Sequence, residues 1–161
     1  MRKTMKHLTE NLSAQSLSKI NLALDLVSRN PISVLAIALV YLERLLKILD
    51  RGNSDCTELS DLKILVTSKL KELFMSLLIL ASKQLDDRSH SNKHYIKAST
   101  LKLKTFNAME VALLKILKYR MMVCSYDWSR YCSMAITLRS TTMLNKTNGQ
   151  SKLPIIHGEP S

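Results

Sequence analysis

The sequence predicts an all-α fold, because its composition favours helices and two of its segments carry regular apolar stripes. The chain of 161 residues is 46% hydrophobic but has only three glycines and three prolines, which favours a packed, mostly helical core. The first stripe comprises Leu70, Leu73, Phe74, Leu77, Leu78 and Ala81, and the second comprises Phe106, Met109, Leu113, Leu114 and Leu117. Both follow the spacing that lines one face of a helix. Strand signals are few, since aromatic residues make up only 5% of the chain.

The chain length fits a single domain, for which the sequence predicts the boundaries 16–138. Residues 1–15 show no sustained periodicity and are predicted to be a flexible lead-in. Residues 139–161 are polar, include Asn148-Gly149 and two prolines, and are predicted to be a disordered tail.

Two helices are predicted in the first third of the chain. The first runs from Leu17 to about Arg29, with Ser16 as a candidate cap. Asn30-Pro31 then marks the start of the second helix, since asparagine caps helices and proline fits the first helical position without losing a hydrogen bond. This helix continues to Leu49. Its middle, VLAIALVYL, is apolar on nearly every side, which predicts that neighbouring elements surround it.

The middle of the chain is predicted to contain a loop, a long helix, a turn and a short helix. Residues 50–66 are predicted to be a loop, and Thr67 or Ser68 is the candidate cap of the helix that carries the first stripe. Residues 86–90 are predicted to form a turn. Ser91 is the candidate cap of a short helix over residues 92–97.

The last third of the chain is predicted to contain a connector, the helix of the second stripe and a final weaker helix. The connector covers residues 98–104, and the striped helix runs from Thr105 to about Tyr119. The weaker helix covers residues 127–138. The residues predicted to lie on one side of it are Trp128, Tyr131 and Cys132.

The formal net charge of +11 raises the question of an anionic partner. Between Arg88 and Arg120 there are eight lysines or arginines and one acidic residue, Glu110. However, no aromatic residues alternate with these cations as a stacking platform requires, and no arginine-rich helix offers a reading face, which disfavours specific nucleic-acid binding. The remaining interpretations are a solvated basic face and a face that meets an acidic partner.

The sequence shows no pattern typical of an enzyme, a metal site or a membrane protein. Three cysteines without Cys-x-x-Cys spacing predict neither a disulfide framework nor a zinc site, and favour a reducing compartment, the nucleus or cytoplasm. His90 and His94 are four residues apart but have no third ligand nearby. No nucleophile elbow, phosphate loop or cofactor motif is present. No signal peptide or bilayer-spanning apolar run is visible either.

One acidic residue stands out because it falls within an apolar stripe. Glu110 lies four residues after Phe106 and four before Leu114. A carboxylate on such a stripe is unfavourable unless it is paired. The candidate partner is Lys83, at the end of the preceding long helix, where a cation also suits the helix macrodipole. Lys83 and Glu110 are therefore the candidate functional pair.

Four short motifs fall in register along these predicted helices. They are Tyr-Leu-Glu-Arg at 41–44, Ala-Ser-Lys-Gln-Leu-Asp-Asp at 81–87, Ser-Asn-Lys-His-Tyr-Ile at 91–96 and Asn-Ala-Met-Glu at 107–110. In order and spacing they resemble the cyclin box, most closely that of the Pho-type cyclins, also called P- or U-type. That family's pattern has Tyr-Leu-Asp-Arg, Ala-Ser-Lys-x-Leu-Asp-Asp, Ser-Asn-x-x-Trp-Ala and Asn-x-Leu-Glu. The motif residues that match or replace this pattern are Arg44, Asp86, Asp87, Ser91, Asn92, Tyr95 and Asn107.

The resemblance covers about residues 17–138 and implies a single cyclin-box fold of about five helices plus flanking helices. It implies a regulatory subunit that forms a heterodimer with a cyclin-dependent protein kinase, not an enzyme, with no cofactor. By resemblance, the kinase-binding residues are Lys83, Glu110 and Leu114. In cyclins the lysine and the glutamate bond to the kinase around its αC helix and hold that helix inward, which lets the kinase align ATP.

Some positions depart from the family's pattern, and they leave kinase binding an open question. Ser99-Thr100 stands where the family usually has glycines, Tyr95 replaces a tryptophan, Glu43 an aspartate and Gln84 an apolar residue. Three alternatives therefore stay open. Lys83 and Glu110 could serve only each other, the fold could bind nucleic acid, or it could act as an adaptor without a kinase.

Overall fold

The computed structural model describes residues 2–51, 57–86, 91–96 and 102–148, and these residues form helices and no strands. The helices in this part of the chain, in order, are α1 (Arg2–Asn11), α2 (Ala14–Val27), α3 (Pro31–Arg51), α4 (Thr57–Ser68), α5 (Leu70–Leu85), α6 (Asn92–Ile96), α7 (Leu103–Ile116) and α8 (Ser125–Asn148). The predicted all-α fold is confirmed.

Helix α3 lies at the centre of the molecule. Every residue from 33 to 42 is buried, because α1, α2, α4, α5 and α8 all pack against this helix. The sequence predicted this, since a helix that is apolar all round needs neighbours on every side. The predicted start is also confirmed: the Asn30 side-chain oxygen accepts a hydrogen bond of 3.3 Å from the Ser33 amide.

Helices α5 and α7 carry the two predicted stripes side by side. The first stripe is fully buried on α5, and Phe106, Met109, Leu113 and Leu117 of the second are buried on or just after α7. The two helices contact one another, and the Ser76 hydroxyl lies 3.1 Å from the Met109 sulfur between them. This packing fixes the relative position of the residues that the sequence singled out.

The amino-terminal segment differs from the flexible lead-in predicted over residues 1–15. Residues 2–11 form α1, and Leu8 and Leu12 are buried in the main core. Two leucines provide too little periodicity for a sequence prediction, but α3 offers them an apolar surface. The cap of α2 is Ser13 rather than Ser16, since the Ser13 hydroxyl oxygen accepts from the Ser16 amide at 3.2 Å.

The loop predicted over residues 50–66 is wrong for much of its length. Helix α3 continues to Arg51, and Thr57–Ser68 forms α4, which buries Leu62 and Val66. Thr67 and Ser68 are therefore not caps of the next helix. Their hydroxyls donate to the carbonyls of Lys63 and Ile64 in the last turn of α4. Residues 52–56 lie outside the described part of the chain.

Helix α8 is longer than the weak helix predicted over residues 127–138. It runs from Ser125 to Asn148, so residues 139–148 of the predicted tail are helical. Over residues 125–140, where side-chain burial is described, its buried side chains are Tyr131, Met134, Ala135 and Leu138, whereas Trp128 is 40% exposed. Trp128, Tyr131 and Cys132 do share one side of this helix by their spacing, but Trp128 near the start of the helix is more exposed than Tyr131.

Several predicted segments fall partly outside the described residues. The turn at 86–90 is described only at Asp86, the short helix spans Asn92–Ile96, and the connector before α7 is described from residue 102 onward. Residues 149–161 of the predicted tail are also outside. The boundaries 16–138 stay a prediction.

Candidate functional site

The candidate pair is formed in the structure. Lys83 closes α5, Glu110 lies in the middle of α7, and their Nζ and Oε1 atoms are 2.5 Å apart. Both side chains are largely shielded, with 24% of Lys83 and 14% of Glu110 exposed. A pair in this position is partly desolvated but still reachable from the surface, and this is the position from which charged groups can bond a partner.

Asn92 ties the short helix α6 to the same carboxylate. Its amide nitrogen donates to Oε2 of Glu110 at 2.8 Å and to the side-chain oxygen of Asn107 at 2.8 Å. Both oxygens of Glu110 are therefore bonded, one to Lys83 and one to Asn92. The carboxylate is held in one orientation by groups from α5 and α6.

Tyr95 lies beneath this network. It is fully buried and packs with Ile79 and Phe106 in a small apolar cluster between α5, α6 and α7. The ring thus fills the core position where the resembled family has a larger tryptophan. Its role here is to dock α6 against the two longer helices.

The surface beside the pair continues with polar and apolar groups from α5, α7 and the segment that follows. Leu114, one turn after Glu110, is half-buried. The Gln84 amide nitrogen lies 3.9 Å from the sulfur of Met122, whose side chain is 79% exposed. Gln84 replaces an apolar residue of the family's pattern, but Met122 supplies an apolar group beside it.

The chain leaves α7 through a strained turn. Lys118 and Tyr119 both have left-handed backbones, with φ of 52° and 55°, a conformation that costs non-glycine residues about 1 kcal/mol or more each. The Tyr119 amide bonds the Leu114 carbonyl at 2.9 Å. The Tyr119 side chain is 66% exposed at the end of α7. Two consecutive strained residues are retained only where contacts with the surrounding structure hold the backbone in this conformation.

Two side chains of α3 hold the segment after this turn. The Tyr41 hydroxyl donates to the carbonyl of Met121 at 2.8 Å, and the Arg44 guanidinium donates to the carbonyls of Arg120 at 2.6 Å and Met122 at 2.9 Å. Three consecutive carbonyls are thus bound by one tyrosine and one arginine, which we call the Tyr41–Arg44 clamp. Burial raises the pKa of Tyr41 to about 12, and the charge of Arg44 only partly offsets this effect.

The sequence singled out Arg44 as a motif residue but did not predict the clamp. The only available signal was the spacing of Tyr41 and Arg44, which places them on one face of a helix. Their acceptors lie far along the chain, and backbone carbonyls carry no sequence signature. The adjacent Glu43 is bonded elsewhere. Burial alone raises the pKa of Glu43. A hydrogen bond from Tyr131 and the charge of Lys47 are among the interactions that together outweigh burial, so the pKa of Glu43 lies below its ordinary value.

The remaining motif residues lie around the pair rather than in it. The Ser82 hydroxyl donates to the Asp86 carboxylate at 3.0 Å, and the Asp86 amide bonds the Ser82 carbonyl, so Asp86 terminates α5. Ser91 precedes α6, and its carbonyl accepts from the His94 amide at 2.9 Å. Asp87 lies outside the described residues.

The described residues contain no cluster of three or more groups that could hold a metal ion. None of the helices in the described part is long and apolar enough to span a bilayer.

Comparison with protein families adds one finding to this geometry. The family model named Cyclin matches residues 11–121, which is more than half of the chain. The chain belongs to the cyclin family. The match contains the Tyr41–Arg44 clamp, Lys83, Asn92 and Glu110, and it ends before α8. Searches of curated proteins and of solved structures gave no match.

Membership confirms the resemblance to the cyclin box that the four motifs carry. Cyclins regulate other proteins and are not themselves catalysts. This cyclin therefore has a cyclin-like regulatory role, and its conspicuous polar network at α5, α6 and α7 is the candidate for the surface through which it acts.

Proposed function

We propose that this cyclin is a regulatory subunit that binds and activates a cyclin-dependent Ser/Thr protein kinase. In this proposal the Lys83–Glu110 pair contacts the kinase around its αC helix and favours the inward position of that helix. The kinase's own lysine and glutamate then pair and align ATP, which is the step that kinase activation controls. The observation that carries the proposal is the pair itself, formed at a partly exposed rim between two packed helices.

The bonding capacity of the pair supports this role. An ammonium group has three donors, and Lys83 directs one of them to Glu110, so further donors are available to carbonyl groups of a partner. Each oxygen of Glu110 accepts one bond and can accept another from a partner amide. Asn92 fixes the carboxylate beforehand, which reduces the entropy lost on binding.

Apolar contact area beside the pair also supports the proposal. Leu114 is half-buried next to Glu110, and Met122 and Tyr119 expose most of their side chains at the end of α7. Methionine and tyrosine are enriched at protein interfaces because they combine large contact area with adaptable or amphipathic surfaces. The proposed heterodimer would bury these groups around the charged pair.

We also propose that the protein belongs to the Pho-type branch and acts in the nucleus or cytoplasm. The motifs at 81–87 and 107–110 support the subfamily assignment. The absence of a disulfide pattern in the sequence supports a reducing compartment.

A double substitution tests the proposed kinase contact. Replacing Lys83 and Glu110 by alanine should reduce the affinity for the kinase at least about thirtyfold, since removing buried interfacial charge contacts costs roughly 2 to 5 kcal/mol. Co-purification with a cyclin-dependent kinase identified by mass spectrometry, together with that kinase's phosphorylation rate, measures the effect. Circular dichroism should show nearly unchanged helical content.

The matched control removes another lysine and glutamate. Lys6 and Glu10 form an exposed pair on α1 with a separation of 3.8 Å, and their replacement by alanine should leave kinase recovery unchanged. If the Lys83/Glu110 variant also recovers the kinase at the wild-type level, the pair serves only the fold and the proposed site is wrong. Recovery of nucleic acid instead of a kinase would favour the alternative role.

A further inference from the structure

The outer face of α7 carries positive charge that the rest of the described chain does not neutralise. Residues Lys104, Ala108, Val111 and Lys115 follow one another at helical spacing, and all four are exposed. Lys118 extends the charge just beyond the helix. We call the surface formed by Lys104, Val111, Lys115 and Lys118 the basic stripe. Close to three helical turns, about 16 Å, separate Lys104 from Lys115.

The basic stripe lies next to the site but does not form part of it. Successive residues turn about 100° around a helix, so Val111 points well away from Glu110 and from the buried side of α7. Glu110, the one acidic residue between positions 102 and 120, bonds Lys83 and Asn92. Its charge is therefore already engaged.

The lysines of the stripe also lack the local pairing that exposed lysines have elsewhere in this protein. Lys6 and Lys47 each pair with a glutamate four residues away, at 3.8 and 3.5 Å. No acidic residue lies three or four positions from Lys104, Lys115 or Lys118. None of the three forms an ion pair within the described residues.

Lys104 is unfavourably placed for its own helix. It lies in the first turn of α7, which has no acidic residue, so its charge adds to the positive end of the helix dipole. Lys115 lies in the last turn, where the helix dipole favours a cation, so this unfavourable effect falls on Lys104. An anionic group bound beside Lys104 would relieve it.

Val111 distinguishes between the kinds of anion that fit. Its side chain is 49% exposed between Lys104 and Lys115, about two helical turns after the first and one before the second. A peptide with an apolar residue between carboxylates can cover Val111 and meet both lysines, whereas a phosphate backbone would leave the valine against charged groups. The exposed helix face from Lys104 to Lys115 also contains no arginine and no aromatic residue, the groups that favour phosphates and bases; Tyr119 and Arg120 lie beyond its carboxyl end.

We propose that the basic stripe docks an acidic peptide segment of a partner protein, with acidic residues on either side of one apolar residue. This surface lies beyond the Lys83–Glu110 contact and does not depend on it. The cyclin can therefore be tested alone, without a kinase.

The test uses a synthetic fluorescent peptide with glutamates on both sides of a central leucine, and measures its fluorescence anisotropy with the full chain. Replacing Lys104, Lys115 and Lys118 together by glutamine should weaken binding about tenfold, since three exposed ion pairs of modest strength are lost. The control replaces Lys19, Lys63 and Lys69 by glutamine and so changes the net charge by the same amount as the stripe variant. These three lysines are exposed on other parts of the surface. It should weaken binding less than twofold.

A second comparison tests the apolar contact. Val111→Ser should weaken peptide binding severalfold without a change in charge, whereas Leu22→Ser, at a leucine of α2 that is 57% exposed, should not. Equal losses in the two lysine variants would show that only bulk charge attracts the peptide and would overturn the proposal. Tighter binding of a short duplex DNA than of the peptide, lost in the stripe variant, would also overturn it.

Discussion

At the scale of single residues, the site depends on a carboxylate whose two oxygens are bound by different elements. Lys83 from α5 and Asn92 from α6 each hold one oxygen of Glu110 on α7. One residue therefore links three helices and orients the charge that a partner would meet. Tyr41 and Arg44 act similarly on the next segment, since they bind three consecutive carbonyls after the strained turn.

The raised pKa of Tyr41 predicts a pH-dependent contribution to stability. Its pKa in the fold is about 12, above the ordinary value of 10.0, so the neutral phenol stabilises the fold fully below pH 10 and loses this effect as the pH rises towards 12. Urea unfolding should show the wild type about 1 kcal/mol more stable than Tyr41→Phe at pH 8. That advantage should shrink at about pH 11, and an advantage that is independent of pH would contradict the prediction.

At the scale of elements, α7 carries Glu110 of the candidate site and leads into the exposed residues beside it. Its buried face packs on α5, Glu110 and Leu114 lie at the rim, and its carboxyl end leads into two left-handed residues. The turn directs the chain back to α3, where the clamp holds it, and then into α8. Tyr119 and Met122 lie along this path with most of their side chains exposed.

Glycine at the first left-handed position should stabilise the protein. Lys118 has φ of 52°, and relief of this strain should exceed the added flexibility of glycine in the unfolded chain, which leaves a gain of about 0.5 to 1 kcal/mol. Chemical denaturation of Lys118→Gly measures the gain. Lys118→Ala is the matched control, because it removes the same side chain but keeps the strain, and equal stability of the two variants would contradict the argument.

At the scale of the whole molecule, a small helical core carries a large positive charge. A formal charge of +11 on 161 residues disfavours the compact state through self-repulsion. The ion pairs among the described residues link few of these cations to carboxylates. Much of the repulsion therefore acts between solvent-exposed cations, and dissolved ions can screen it.

Salt should accordingly raise the stability of this protein. An increase in ionic strength from about 0.01 M to 0.15 M shortens the screening length from about 30 Å to about 8 Å, which weakens repulsion across the surface more than the short, shielded Lys83–Glu110 contact. Differential scanning calorimetry should show a higher Tm in sodium chloride. A Tm that falls over this range would mean that attractive pairs dominate the surface.

Much of the fold and part of the site were predictable from local patterns. The stripes on α5 and α7, the all-round burial of α3 and the cap at Asn30 all arise from contacts within a few residues or from a strict period, so the sequence displays them. Helix α1 was missed because its apolar residues are sparse, although α3 gives them a surface to pack on. Helix α4 was missed because Ile64, Leu65 and Val66 are consecutive and obscure the helical spacing of Leu59, Leu62 and Val66.

The sequence by itself predicted an all-α fold and a cationic partner for Glu110, because helical period and an acid on an apolar stripe are local properties, and its four motifs carried the resemblance to the cyclin box. Only the tertiary structure decided that Asn92 shares that carboxylate, that Tyr41 and Arg44 hold the carbonyls of residues 120–122, and that Tyr131 is fully buried whereas Trp128 is 40% exposed. Such contacts join residues far apart in the chain, many through backbone atoms that every residue possesses. Their partners are therefore fixed by how the helices pack and not by residue type.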